Sequence, residues 1–229
     1  MIGIIGAMEI EVAALKKMME NGETAKISGV EFTKGKILGK DVVVATCGIG
    51  KVFAAICTEA MILNYKPDII INTGVGGTLT NKLNIGDIAV GEAVVQHDMD
   101  TSPIGDPVGF LSGIKMIEIP CDKNLGKLFT EACREENINT VSGVIATGDQ
   151  FIATKEQKER ITATFDNTIA CEMEGGSIGH TAYVNNVPFL VVRAISDNAD
   201  GGAPSDFGAF VRTSTENNIK VLTKVIGKF

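Results

Sequence analysis

The chain reads as an α/β protein: a single domain over residues 1–229, three layers deep, with a mixed, partly barrel-like central sheet wrapped by helices. Three observations predict this. Short runs rich in Val and Ile alternate with amphipathic stretches, the pattern of strands buried between helices in a largely parallel sheet. Residues 28–46 carry a hairpin signal and the apolar run over 87–95 is long, so the sheet is mixed. No Pro/Gly/Ser-rich linker interrupts the 229 residues, which favours one domain.

The elements follow in order. Residues 2–5 form a buried strand, and residues 9–20 a helix with Val12, Leu15, Met18 and Met19 on one side. In the hairpin, Val30-Glu31-Phe32-Thr33 alternates, Leu38-Gly39-Lys40 turns, and Val42-Val43-Val44-Ala45 returns. Residues 51–64 form a helix with Val52, Ile56, Ala60 and Leu63 in register. Pro67 and Asp68 end that unit, and Ile69-Ile70-Ile71 opens the next buried strand. Further strands are expected at 87–95, 115–119, 141–146, 168–172 and 187–195, and further helices at 123–136, 155–164, 174–184 and 205–226. No internal repeat or low-complexity segment is present.

Composition excludes several function classes. The net charge is −7 with no basic block, which argues against nucleic acid as a partner. No apolar stretch reaches the ~18 residues that span a membrane, and Met1-Ile2-Gly3-Ile4-Ile5-Gly6 lacks the basic region of a signal peptide. The five cysteines are widely spaced with no Cys-x-x-Cys pair, so they read as reduced, mostly buried thiols of a cytoplasmic protein. His97 and His180 have no ligand-spaced partners, so no metal is expected.

What remains is carboxylate chemistry. The run Phe189–Ile195 stops at Ser196-Asp197; Cys171-Glu172-Met173-Glu174 lies upstream, and Met8-Glu9-Ile10-Glu11 follows the first strand. Ligands of open α/β sheets bind at the carboxyl ends of strands, so these acids stand where a ligand would. With only two histidines in the chain, acid/base work falls to Asp and Glu. Two glycine-rich segments also follow strands. Cys47-Gly48-Ile49-Gly50-Lys51 lacks the spacing of a phosphate loop or a dinucleotide turn, and is either a tight strand-to-helix turn or a ligand contact. Asn72-Thr73-Gly74-Val75-Gly76-Gly77 reads as a ligand-facing loop whose backbone approaches closely.

Five segments recur in order: Gly3–Glu9, Asn72-Thr73-Gly74 with Gly76-Gly77, Gly148-Asp149-Gln150-Phe151-Ile152, Glu172-Met173-Glu174 and Arg193-Ala194-Ile195-Ser196-Asp197. Together they resemble the 5′-methylthioadenosine/S-adenosylhomocysteine nucleosidases of the purine nucleoside phosphorylase-like superfamily. The resemblance runs from the first strand to the last helix. It implies the nucleoside phosphorylase-like fold and a homodimer whose partner subunit lines the alkylthio end of the site. It also implies hydrolysis of the N-glycosidic bond of adenine thionucleosides and 5′-deoxyadenosine, within methionine salvage and removal of methyl-cycle by-products. No cofactor or metal is implied.

The resemblance also assigns roles. Glu11 activates water and Asp197 protonates adenine N7, around an oxocarbenium-like transition state. An ordinary aspartic acid ionises near ~3.9, so a proton donor near neutrality needs roughly 4 kcal/mol of bias from its surroundings. Glu174 clamps the ribose hydroxyls, Met8 and Met173 pack on the sugar, Phe151 stacks on adenine, and the Ile152 backbone reads its edge. Phe207 closes over the purine from the segment 198–206, where Ser205 is a candidate helix N-cap. Ile49, Val75, Gly76, Glu172, Ser196 and Ala199 complete the binding set, with Thr101 and Ile104 offered to the partner's site. Arg193 lies roughly 13 Å from Asp197 along an extended strand, so it supports Glu172 or another neighbouring carboxylate instead.

Each assignment has a plainer rival. Glu11 on an amphipathic helix could be a solvated charge, with Glu9 its competitor. Glu172 and Glu174 could be helix-start acids, Asp197 a loop cap, and the Met and Phe residues core packing. Departures from the family pattern are Val75 in place of a frequent Ser, Gly175-Gly176 after Glu174, Ile10 between two acids, and the segment Pro103–Phe110. Three rival activities stand beside the hydrolase. A phosphorylase needs an anion pocket normally built with arginines, of which the chain has only Arg134, Arg160, Arg193 and Arg212. The others are a hydrolase of futalosine or AMP, and a silent purine-binding protein.

Overall fold

The structure, a computed structural model, describes residues 1–200 and 207–229, the side chains of 207–210 excepted. The chain starts with β1 (Ile2–Gly6), α1 (Glu9–Met18) and a three-stranded meander, β2 (Glu20–Ile27), β3 (Val30–Ile37) and β4 (Lys40–Thr46). Helix α2 (Lys51–Tyr65) leads to the long strands β5 (Ile69–Thr78) and β6 (Ile88–Gln96). A 3₁₀ turn at Ser102–Ile104 and the short β7 (Ile119–Pro120) precede α3 (Lys123–Glu135). The remainder is β8 (Thr140–Thr147), α4 (Lys155–Thr164), β9 (Thr168–Glu172), α5 (Gly175–Val184), β10 (Phe189–Asp197) and α6 (Phe207–Gly227).

All these strands join one sheet in the order β10-β6-β8-β9-β5-β1-β4-β3-β2, with β7 beside β6. Because β10 also pairs with β5, the strands β5, β10, β6, β8 and β9 close on themselves. Parallel pairs (β1 with β4 and β5, β10 with β5, β8 with β6 and β9) mix with antiparallel ones (β10–β6, β5–β9). This is the mixed, partly barrel-like α/β architecture expected. Helix α2 packs on α5, and α6 packs on α1 and α3, giving helical layers around the sheet. Strands enclosed on both faces must be apolar throughout, and Ile4, Ile5, Ile70, Ile71 and Leu190–Val192 are fully buried.

One feature of the topology makes the site. Strand β5 pairs with β1 up to Asn72 and with β9 only from Gly77. Between these points its edge toward β1 and β9 is open, and a crevice forms where neighbouring strands diverge. On the opposite edge, β10 follows β5 until a bulge at Ser196, between the pairs Ile195–Gly76 and Asp197–Gly77. Bulges re-aim side chains beside active sites, and this one turns Asp197 at the crevice.

Several elements differ from expectation for physical reasons. The first helix ends at Met18, not residue 20, because Met19 is already extended and Glu20 begins β2. Strand β2 escapes a hydrophobic-pattern reading because its residues are almost all exposed. The strand expected over 115–119 shrinks to Ile119–Pro120, an edge position at which proline is tolerated. Asn72–Gly77 is the body of β5, not a loop. A Cβ at Gly74 would lie 2.7 Å from Glu11 Oε1, and one at Gly77 2.7 Å from Asp197 Oδ1. These glycines thus let two carboxylates lie against a strand. Helix α2 buries Ala54, Cys57, Thr58 and Met61, whereas Val52, Ile56 and Leu63 are 70%, 40% and 64% exposed. Of the expected face only Ala60 is buried; α2 is apolar nearly all round, so its period does not choose a side.

Candidate active site

Glu11 occupies the third position of α1 and is buried. Its Oε2 accepts the N–H groups of Ala7 (2.8 Å) and Met8 (2.9 Å), reaching back over the helix start as in a capping box. Its Oε1 accepts the Val75 N–H (3.0 Å) from the open edge of β5. Val75 therefore meets Glu11 through its backbone, a contact that does not depend on a Ser at this position. Burial raises the Glu11 pKa, while these N–H groups and the Arg193 charge hold it down in part. Glu9 points away: it binds Lys16 Nζ and the Thr46 hydroxyl, both at 2.7 Å, outside the cavity.

Asp197 is buried at the end of β10. The Ser196 hydroxyl donates to its Oδ2 and the Ala199 N–H to its Oδ1, both at 2.9 Å. Ala199 is buried and braces Asp197 without lining the cavity. Glu172, at the end of β9, accepts the N–H groups of Glu174 (3.0 Å) and Gly175 (2.7 Å), the Thr147 hydroxyl and the Arg193 guanidinium. Arg193 is fully buried and also binds Asn72 Oδ1 and the Val192 carbonyl, so its charge is committed to support. Gly175-Gly176 is tightly packed at the start of α5. A Cβ at Gly175 would lie 2.8 Å from Val191 Cγ1, and one at Gly176 2.9 Å from Thr147, so only glycine permits this packing.

Glu174 stands at the N-cap position of α5, and its side chain accepts the Gly50 N–H at 2.8 Å. Gly50 has φ +97°, so the first glycine-rich segment is both a tight turn and part of the site. The Glu174 pKa is pushed up to about 7 by burial, then by the Glu172 charge, with Arg193 opposing. Between about 4.5 and 7 the folded chain therefore keeps a proton that the unfolded chain has lost. That contribution to stability is full at low pH and vanishes as pH rises toward 7. Across this interval the Tm of wild type is expected to fall relative to that of Glu174→Gln; parallel Tm curves would contradict it.

These acids surround a cavity of about 220 Å³. Met8 and Glu11 enter from the start of α1, Ile49 from the turn before α2, and Val75 and Gly76 from β5. Phe151 and Ile152 follow β8, Glu172, Met173 and Glu174 follow β9, and Ser196 and Asp197 end β10. Phe151 and Ile49 are half exposed at the mouth. Sequence reasoning missed Ala7, Gly77, Gln150 and Cys171, each a neighbour of a residue it named. Burial pushes the Cys171 thiol up to about 12, which makes it a wall rather than a nucleophile. Thr101 and Ile104 lie outside this cavity; the Thr101 hydroxyl binds Asp106 at 2.9 Å and Ile104 is 82% exposed. The Phe207 side chain and Ser205 lie outside the described residues. Among the described residues no Lys or Arg lines the cavity, and none of the helices is long and apolar enough to cross a membrane.

Comparison with known proteins places the chain in a family. The family model described as the phosphorylase superfamily matches residues 1–227. A 5′-methylthioadenosine/S-adenosylhomocysteine nucleosidase from Staphylococcus saprophyticus is 40% identical over 99% of both chains. The crystal structure of the Neisseria meningitidis nucleosidase of that name, in complex with methylthio-immucillin-A, superposes with a TM-score of 0.95 at 32% identity, covering 100% of this chain and 99% of that one. The futalosine hydrolase of Helicobacter pylori superposes at 0.94 with 37% identity, covering 100% and 97%. The chain belongs to the 5′-methylthioadenosine/S-adenosylhomocysteine nucleosidase family of the phosphorylase superfamily.

Proposed function

We propose that the chain hydrolyses the N-glycosidic bond of 5′-methylthioadenosine and S-adenosylhomocysteine, and of 5′-deoxyadenosine, with Glu11 as base and Asp197 as acid. The observation that carries this is that both carboxyls line one cavity, against Gly74 and Gly77 of the same strand. Three residues of strand separate those glycines by roughly 10 Å, room for a ribose with water on one side and a purine on the other. Glu11 takes a proton from the water that attacks C1′. The C1′–N9 bond breaks, its electron pair passes to adenine, and Asp197 supplies the proton at N7. Glu174 accepts the ribose hydroxyls and favours the positive charge developing on the sugar. Met8 and Met173 wall the sugar, and Phe151 stacks on the base.

The nucleophile distinguishes this reading from a phosphorylase. Phosphate needs cationic donors, whereas the cavity presents carboxylates. Adenine release from 5′-methylthioadenosine is expected in phosphate-free buffer and should not rise when phosphate is added; release only with phosphate would reverse the assignment. The similarity to a futalosine hydrolase favours a second reading, cleavage of another 5′-substituted nucleoside. A substrate panel with futalosine beside the adenine nucleosides decides between them by the ratio of kcat/KM.

We further propose a cytoplasmic homodimer. The five cysteines are free and buried, as in a reducing compartment. Val52, Phe53, Ile56 and Leu63 are exposed apolar side chains on one helix, α2, a grouping that suits an interface. It adjoins the cavity mouth through Ile49, and the partner's Thr101–Ile104 turn would cover the alkylthio end. Sedimentation should give twice the 24.2 kDa chain mass. Val52→Asp with Leu63→Asp should shift it to monomer and raise KM for methylthioadenosine. A monomeric wild type would end the proposal.

A further inference from the structure

A ring of hydrogen bonds beside the cavity has no part in the chemistry above. Lys51 Nζ donates to Asp98 Oδ1 at 2.7 Å. Asp98 Oδ2 accepts the Asp149 N–H at 2.9 Å, and Asp149 Oδ1 accepts the Lys51 N–H at 2.8 Å. The ring joins three segments distant in sequence: the start of α2, the segment after β6, and the loop after β8. None of the three side chains lines the cavity, yet two of the segments, those of Lys51 and Asp149, adjoin residues that do. Gly50, the residue before Lys51, gives its N–H to Glu174. Phe151 and Ile152 follow Asp149 by two and three residues.

Two details show that this contact is built in. A Cβ on Gly50 would sit 3.0 Å from Asp149 Oδ1, so a glycine there leaves room for the carboxylate. Lys51 is held a second time, through its carbonyl, by the Ser177 hydroxyl of α5 at 2.7 Å, and its ammonium also reaches Gln96 Oε1 at 3.4 Å. The Lys51 and Asp98 side chains are only 21% and 16% exposed. Screening by water is weaker there than for a surface pair.

We propose that Asp98, with Lys51 and Asp149, is a positioning residue that sets substrate affinity without touching substrate. The ring holds the Gly50 N–H on the ribose clamp and holds Phe151–Ile152 at the base. Without it, the free chain samples arrangements in which one or both are misplaced, and binding must select the competent one. The loss falls on ground state and transition state alike, so KM rises while kcat is largely kept. This rests on the reading of the cavity as a nucleoside site.

The test is steady-state kinetics on methylthioadenosine with full-length Asp98→Ala, Asp98→Asn and Asp149→Ala, beside thermal unfolding of each. Asp98→Ala and Asp149→Ala should raise KM about tenfold and change kcat by less than about threefold. Asp98→Asn should fall between them and wild type, because an amide offers one acceptor oxygen to two donors. Adenine binding by the same variants should weaken in parallel. Unchanged KM in folded variants overturns the proposal, as does a fall in kcat with KM unaltered, or a lowered Tm with wild-type kinetics. If Asp98→Ala does not fold, Asp98→Asn and Asp149→Ala decide it by the same criteria. A wild type that releases no adenine overturns the nucleosidase reading and this inference with it, an outcome distinct from an active wild type with indifferent variants.

Discussion

Asp197→Asn is expected to lower kcat for adenine release by roughly 10²–10⁴-fold, the usual worth of a positioned general acid, with KM changed by only a few-fold. Asparagine is nearly isosteric with aspartate. Its oxygen can still accept the Ala199 N–H, and the Ser196 hydroxyl can turn to accept from its amide. The bulge that aims residue 197 and the glycine that makes room for it are untouched. What disappears is the transferable proton. A control separates that loss from misplacement. A 5′-alkylthio riboside with a nitrophenolate leaving group departs without protonation, so the variant should retain most of its rate on that compound. A loss below threefold on methylthioadenosine would remove Asp197 from the role of acid. An equal loss on both substrates would point to displaced geometry instead.

Much of this site is legible in the sequence because burial and chemistry leave marks at strand ends. Strands enclosed on both faces must be apolar runs, so where they stop is visible; Glu172 and Asp197 end theirs, and Glu11 and Glu174 stand just beyond. What is not legible depends on contacts that sequence spacing cannot show. Strand β2 is held only by pairing with β3, and its exposed residues carry no period. The Gly74–Gly77 run looks like a turn because glycine is common in turns. It is extended because β10 pairs along its length, and Gly74 and Gly77 lack side chains because carboxylates occupy their space. Helix α2 is apolar on both faces, so its exposed side cannot be chosen without knowing that α5 covers the other. The Lys51–Asp98–Asp149 ring joins residues 47 to 98 positions apart, and nothing local to any of them announces the others.

Arg193→Met is expected to cost stability more than any substitution in the cavity wall. Arg193 is buried to 1% exposure among Glu172, Glu174 and Glu11. Burial opposes its charge, and these carboxylates more than offset that, so its pKa is raised. Removing one partner of a buried pair leaves the other charge uncompensated, at about 3–5 kcal/mol. For a chain of this size each kcal/mol is roughly 2–4 °C, so Tm should fall by roughly 6–20 °C. Methionine keeps much of the volume, so the loss is mainly electrostatic. The sign with pH follows. Without the guanidinium Glu174 and Glu11 hold their protons more strongly, which favours the folded state at low pH. The deficit relative to wild type should therefore shrink as pH falls from 8 toward 5. A deficit independent of pH would mean that the arginine acts by packing. A Tm change under 2 °C would mean that the carboxylates find compensation elsewhere. Arg193→Lys keeps the charge but not the fork that reaches Glu172 and Asn72 together. Its Tm should lie between the two.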